Sequence, residues 1–283
     1  LYPGVTHKVH GVHKQVWNPD LVDIIMIREN TEGLYHSLLR RMEQKALGKK
    51  DEPIVIEEFP GLDGEVAWDP RPISRDGSER VINFAFDYAK HRQRKMGVSQ
   101  SVTCVDKSNV TRGCQLFRKI FREFAERNQN IVVKEAYIDA FTMWLVRNPE
   151  DLDVVVLPNM FGDIATDLAS VLQGGMGMSA SANMGPKHML FEPVHGSSPK
   201  HAGKNVVNPI AMIQSVQMMF EALAFRKKDQ NLDTCAEILQ SAIQKHFEEG
   251  GIVTYDLGGT ASTSEVGQAI AIRCKSMLKE RFS

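Results

Sequence analysis

Apolar positions along the chain fall into short blocks whose spacing changes from one block to the next. Asp23-Ile24-Ile25-Met26-Ile27, Ser101-Val102-Thr103-Cys104-Val105 and Asp153-Val154-Val155-Val156-Leu157 are compact apolar runs with polar residues at their ends. Such runs read as buried strands. Asn130 to Tyr137 reads as a further strand. Between these blocks the period shifts to that of a helix. Gly77 to Lys90 carries Val81, Phe84, Ala85 and Tyr88 at helical spacing, and Gln115 to Arg127 presents Leu116, Ile120 and Phe124 on one face. Ile138 to Val146 is a third helical stretch, and Asn208 to Phe225 and Asn231 to Phe247 are two longer ones. Strand and helix alternating at this rhythm predict parallel βαβ units and an α/β fold.

Leu38 to Asp69 interrupts the rhythm. It opens with Arg40, Arg41, Lys45, Lys49 and Lys50, alternates loosely through Ile54, Val55, Ile56 and Phe59, and ends in a Pro- and Gly-rich stretch. It reads as an excursion, part arm and part hairpin, with its basic residues on a solvated surface. There are no internal repeats or low-complexity tracts. With 283 residues, 42% hydrophobic, the chain is long enough for two packed domains or one large α/β domain. A formal net charge of −1 supplies no electrostatic footprint for nucleic acid or an anionic membrane. No apolar stretch is long enough to span a bilayer, and no signal peptide is visible. Cys104, Cys114, Cys235 and Cys274 have no C-x-x-C spacing, so they read as reduced thiols in a cytosol-like compartment. The chain opens at Leu1-Tyr2-Pro3-Gly4, a turn leading toward a first strand, which suggests a further segment ahead of it.

The chemistry concentrates where strands end. After Leu157 the chain runs Pro158-Asn159-Met160-Phe161-Gly162-Asp163-Ile164-Ala165-Thr166-Asp167. Asp163 and Asp167, four residues apart on a helix, share one face and can address one divalent cation through oxygen. The plain alternative is a pair of acids complementing a helix dipole, worth about 0.3–1 kcal/mol each. Two other strands favour the site. One hands over to Arg28-Glu29-Asn30-Thr31-Glu32-Gly33 and the other to Asp106-Lys107-Ser108-Asn109, so three strand ends converge on charged and amide side chains, where open α/β sheets bind ligands. A second block, Phe191 to Pro209, is rich in Gly, Pro, Ser and His. Its small residues admit close backbone approach, and Lys200 with His201 could pair with a phosphate. No G-x-G-x-x-G occurs, so any dinucleotide is held without the usual Rossmann fingerprint.

Taken together, Arg28 through Tyr35, Lys107-Ser108-Asn109, Asn159 through Asp167 and the His195-to-Pro209 loop resemble the isocitrate/isopropylmalate dehydrogenase family of β-decarboxylating dehydrogenases. The match runs over nearly the whole chain in the family's order. The resemblance implies oxidative decarboxylation of a 2-hydroxy acid to a 2-keto acid and CO2 with reduction of a nicotinamide. It implies Mg2+ or Mn2+ held by Asp139, Asp163 and Asp167, which as a Lewis acid acidifies the substrate hydroxyl. Lys107 would assist deprotonation of that hydroxyl, Tyr35 would protonate the carbon left after CO2 loss, and Arg28 and Asn109 would bind substrate, Arg28 through its planar fork. His195, Gly196, Ser197, Ser198, Pro199, Lys200, His201, Asn208 and Tyr255 would bind the cofactor. Each has a plain alternative: Tyr35 packing beside Leu34, Lys107 as a solvated lysine, Asp139 as a helix cap.

The implied architecture is a two-domain isocitrate/isopropylmalate dehydrogenase-like α/β fold with a cleft between domains. Residues 1–174 would form most of the smaller domain, with an intersubunit arm at about 38–69. Residues 175–283 would be the C-terminal half of the larger, cofactor-binding domain. The family is dimeric, with Lys107 and Asp139 serving the partner's site, and its substrate-selecting residue lies ahead of Leu1. Asn30-Thr31-Glu32-Gly33 resembles isocitrate and homoisocitrate enzymes, making isocitrate the first expectation and homoisocitrate, 3-isopropylmalate and tartrate the alternatives. NAD-dependent relatives typically place Asp where Lys200 stands, and NADP-dependent ones carry Tyr where Tyr255 stands, so NADP is favoured over NAD. A regulatory subunit of a hetero-oligomeric isocitrate dehydrogenase is a further alternative, opposed by retention of Asp163, Asp167 and His195. A Mg2+-dependent phosphoryl-transfer protein should carry a P-loop, and none is present.

Overall fold

A computed structural model describes residues 1–36, 46–48, 55–56, 66–67, 69–92 and 100–282. In chain order the first strands are β1 (His7–Val9), β2 (Val12–Lys14), β3 (Ile25–Arg28), β4 (Val55–Ile56) and β5 (Val66–Ala67). Helix α1 (Arg75–His91), β6 (Ser101–Asp106), α2 (Arg112–Arg127), β7 (Val132–Tyr137), α3 (Ile138–Arg147), β8 (Val154–Leu157) and α4 (Asn159–Leu172) follow. The chain ends with β9 (Ala180–Met184), β10 (Met189–Pro193), α5 (Ile210–Lys227), α6 (Gln230–Glu248) and α7 (Thr263–Phe282).

The chain divides into two compact units, one of residues 23–166 and one of residues 1–22 with 167–283. The first is built on a four-stranded parallel sheet in the order β3-β8-β6-β7. Every residue of β6 and β8 is buried, which is why these segments are continuous apolar runs rather than alternating ones. Val81, Ile82, Ala85 and Phe86 of α1 and Phe117, Ile120 and Phe121 of α2 pack on Val102, Cys104, Val154 and Val156. Ser74 caps α1 by accepting from the Gly77 amide at 3.0 Å. The sheet register aligns Arg28 with Leu157 and Asp106 with Tyr137, so the charged strand ends lie along one edge.

The second unit joins the antiparallel hairpins β1–β2 and β9–β10 to α5, α6 and α7. Its core contains Val5, Met178, Ile210, Ile243, Phe247, Leu257, Val266 and Ile270. This differs from the expected boundary near residue 174 in two respects. Residues 1–22 belong with the C-terminal segment, because Tyr2 and Val5 pack in its core and the His7 ring bonds the Leu172 carbonyl at 2.6 Å. The division falls inside α4 instead of at Gly174, where a Cβ would stand 2.8 Å from Val5 and 3.0 Å from Leu257. The arm expected at about 38–69, with its basic run Arg40, Arg41, Lys45, Lys49 and Lys50, lies largely outside the described residues; β4 and β5 pair antiparallel within it. The four cysteines are unpaired. Among the described residues no helix is long and apolar enough to cross a membrane.

Candidate active site

Arg28 ends β3, and the first turns of α4 follow the neighbouring β8. Their side chains meet. Arg28 Nε and Nη2 donate to Asn159 Oδ1 at 3.0 and 2.8 Å, and Nη1 donates to Asp163 Oδ1 at 2.5 Å. The Tyr35 hydroxyl donates to the other Asp163 oxygen at 2.6 Å, and the Arg28 guanidinium lies 5.4 Å over the Tyr35 ring. Asn159 Nδ2 donates to the Glu32 carbonyl at 2.7 Å, tying the loop after β3 to the start of α4. Tyr35 is thus aimed at Asp163 rather than merely packed beside Leu34.

That loop is held from beneath by Glu29, a residue the sequence alone does not single out. Its buried carboxylate accepts from the Thr31 amide and hydroxyl, the Glu32 amide and Arg80. Burial pushes its pKa up, but hydrogen bonds from the Thr31 side chain, the two amides and Arg80 outweigh this, leaving it below the ordinary 4.5. Arg80 comes from α1, so no local sequence signal joins it to Glu29. Gly162 was also not foreseen: a Cβ there would stand 2.5 Å from Arg28 Cγ and 2.8 Å from Arg28 Cβ.

Lys107 follows β6 and Asp139 lies in the first turn of α3, and they form an ion pair at 2.5 Å. Lys107 holds the exposed Asp139 carboxyl below the ordinary aspartate range. Asn109 is exposed in the turn before α2. Asp163 and Asp167 stand four residues apart on α4, Asp163 with a side chain 42% exposed and Asp167 exposed. An oxygen-only, partly accessible carboxylate pair suits a hard divalent cation. Among the described residues no three His, Cys, Asp or Glu side chains are grouped to hold a metal.

In the other unit, the block read as loop from Phe191 begins as β10, because Met189–Pro193 pairs with Ala180–Met184. Beyond it, His195 Nδ1 bonds the Gly196 carbonyl at 2.8 Å, and Ser197 is exposed. Ser198 adopts a left-handed φ of 46° and enters a single 3-10 turn, Pro199–His201, on which Lys200 is exposed. His201 meets Ser198 Oγ at 2.8 Å through Nδ1 and Tyr255 Oη at 3.3 Å through Nε2, with the His201 and Tyr255 rings stacked at 6.0 Å. Asn208 differs. It is buried, accepts from the Ile210 amide and donates to Asp256 at 3.0 Å, so its side chain fastens the Tyr255 turn to the start of α5. The loop is further tethered by Asn205 to Ser264 and by the Thr263 hydroxyl to the Val207 carbonyl.

The sequence model of the isocitrate/isopropylmalate dehydrogenase family matches residues 3–270. The chain belongs to this family. It is 38% identical over 263 residues to homoisocitrate dehydrogenase of Methanocaldococcus jannaschii, covering 93% of this chain and 66% of that protein. It is 39% identical over 254 residues to 3-isopropylmalate dehydrogenase of Methanothermobacter thermautotrophicus, covering 89% and 67%. Among solved structures it resembles isocitrate dehydrogenase from Methylococcus capsulatus with a TM-score of 0.76 and 33% identity, covering 96% of this chain and 70% of that one. The chain therefore spans about two thirds of the length of these relatives.

Proposed function

We propose that the protein carries out metal-dependent oxidative decarboxylation of a 2-hydroxy acid, with isocitrate as substrate and NADP as oxidant. The observation that carries this reading is the Arg28–Asp163–Tyr35 cluster. It puts a carboxylate-binding fork, a metal-type carboxylate and a phenol proton donor within hydrogen-bonding distance of one another. A bound Mg2+ or Mn2+ would supply Lewis acidity at the substrate hydroxyl. Asp163 and Asp167 would hold it, with Asp139 of a second copy as third carboxylate. Arg28 would exchange its bonds to Asn159 and Asp163 for a substrate carboxylate, which its planar fork can grip in two places. Lys107 would assist removal of the hydroxyl proton, and Tyr35 would deliver a proton to carbon.

For the cofactor, the support is a cation and an imidazole, Lys200 and His201, on one small turn, with the phenol of Tyr255 meeting His201 from a second turn. That chemistry suits a phosphate better than a bare ribose hydroxyl. Homoisocitrate with NAD is the second reading, favoured by the similarity to the Methanocaldococcus enzyme. Steady-state kinetics of the full-length protein with isocitrate, homoisocitrate, 3-isopropylmalate and tartrate, each with NADP and NAD, decide between them. The highest kcat/KM is expected with isocitrate and NADP; a higher value for any other pair replaces this assignment. Asp163→Asn removes a ligand charge and should abolish most turnover at limiting Mg2+. Turnover near the parent's would refute the metal assignment, since a helix-dipole aspartate tolerates Asn.

A further inference from the structure

Directly beneath Lys107 and Asp139 lies an ion-pair network that the proposed chemistry does not use. Asp106, the last residue of β6, is fully buried, and Arg118 of α2 is nearly so. Arg118 Nε and Nη2 donate to the two Asp106 oxygens at 2.8 and 2.9 Å. The same Nη2 donates to the Ala136 carbonyl of β7 at 2.9 Å, and Nη1 stands 3.5 Å from Glu135. One guanidinium thus bridges the carboxyl ends of two adjacent strands, the first leading to Lys107 and the second to Asp139. Asp106 also accepts from the Ser108 amide at 2.7 Å, fixing the backbone on either side of Lys107. Above the bridge sits Tyr137, the register partner of Asp106, with the Arg118 guanidinium 4.9 Å and the Lys107 ammonium 5.9 Å from its ring centroid.

We propose that Arg118 is a positioning residue that, through Asp106, the Ala136 carbonyl and the Tyr137 ring, sets the placement of Lys107 against Asp139. A buried ion pair that served folding alone would need only a partner for Asp106. This one also donates to the neighbouring strand through Nη2 and stands over the aromatic ring that Lys107 also faces. The fork geometry matters as well as the charge: lysine would retain the charge but not simultaneous bonds to Asp106 and Ala136. Among the described residues β7 is an edge strand that pairs with β6 alone. The Arg118 bridge adds an anchor at the end of β7 that leads to Asp139.

The inference rests on the reading of Lys107 as a group that assists removal of the substrate hydroxyl proton, and Lys107→Met in the full-length protein tests that reading separately. If Lys107→Met keeps parental kcat, that reading fails, and the inference with it. With Lys107→Met inactive, Arg118→Lys should lower kcat about 10- to 100-fold, as misplacement of a reacting group does, while the cofactor KM stays within about twofold. Rates are taken per folded molecule, with thermal unfolding reporting the folded fraction. Tyr137→Leu, at a half-exposed position, should lower kcat in the same direction, and Tyr137→Phe, which keeps the ring, should restore it. Arg122→Lys, changing an exposed fork on Glu135, is the control and should leave kcat unchanged. Parental kcat in folded Arg118→Lys overturns the proposal. If that variant does not fold, parental kcat in Tyr137→Leu overturns it instead.

Discussion

Gly162→Ala should separate stability from activity in this protein. Gly162 lies inside α4, where replacing glycine by alanine normally stabilises a helix by about 0.8–1 kcal/mol. Its backbone φ is not in the left-handed region, so alanine meets no conformational barrier. The new methyl group would nevertheless stand 2.5 Å from Arg28 Cγ, 2.8 Å from Cβ and 3.1 Å from Cδ. These are the root of the side chain, so a rotation of its far end gives no relief. Overpacking of this kind costs about 1–3 kcal/mol and roughly offsets the helix gain. Arg28 must shift, and its alignment with Asn159 and Asp163 goes with it. A charge-assisted hydrogen bond lost from the transition state is worth about 1.5–3 kcal/mol, or about ten- to a hundred-fold in kcat/KM. The expected result is a melting temperature within about a few degrees of the parent, with that loss of kcat/KM. Parental kcat/KM in steady-state assays would refute the argument that Arg28 is held for substrate by the absence of a side chain at residue 162.

Lys200→Asp should lower or reverse the preference for NADP by about one to two decades, as expected for a charged hydrogen bond replaced by a repulsive carboxylate. Kinetics with both cofactors check it, and an unchanged ratio removes Lys200 from the cofactor site. Mixing inactive Lys107→Met and Tyr35→Phe chains should restore part of the activity if Lys107 and Asp139 complete the site of a second copy; verified subunit exchange without recovery contradicts sharing. Glu29 has a lowered pKa in the folded state, so its stabilisation is complete above the ordinary 4.5 and is lost as pH falls through its folded-state value. Melting curves should therefore show the parent's advantage over Glu29→Gln shrinking below that pH; an advantage that persists unchanged would contradict the assignment.

The parallel sheet was legible because its central strands are buried on both faces and written as uninterrupted apolar runs, as in Val154–Leu157. Helices α1, α2 and α3 were legible from their one-sided stripes, with ends displaced by a few residues. Helix α7 was not foreseen. Its inward stripe is thin, with Val266, Ile270, Cys274 and Met277 set among polar residues, and much of its surface is exposed. The β9–β10 hairpin escaped because Pro193 and the glycines beyond it dominate the composition of that stretch. At the site, Arg28 and Asp163 stood out as strand-end and helix-start residues, whereas Tyr35 came only from the family resemblance. The supports, Glu29 with Arg80 under the loop after β3 and Asp106 with Arg118 beside Lys107, join residues from separate elements and leave no local spacing to read. Asn208 read as a cofactor residue, but burial turns its amide toward Asp256.

The account stands most directly on the stoichiometry of CO2 released to nicotinamide reduced by the full-length protein acting on isocitrate, measured with Mg2+ and after chelation. Equal molar amounts of the two products, both abolished by chelation and both restored by Mn2+, are the predicted result. Nicotinamide reduction without CO2, or turnover that persists after the metal is removed, would contradict it.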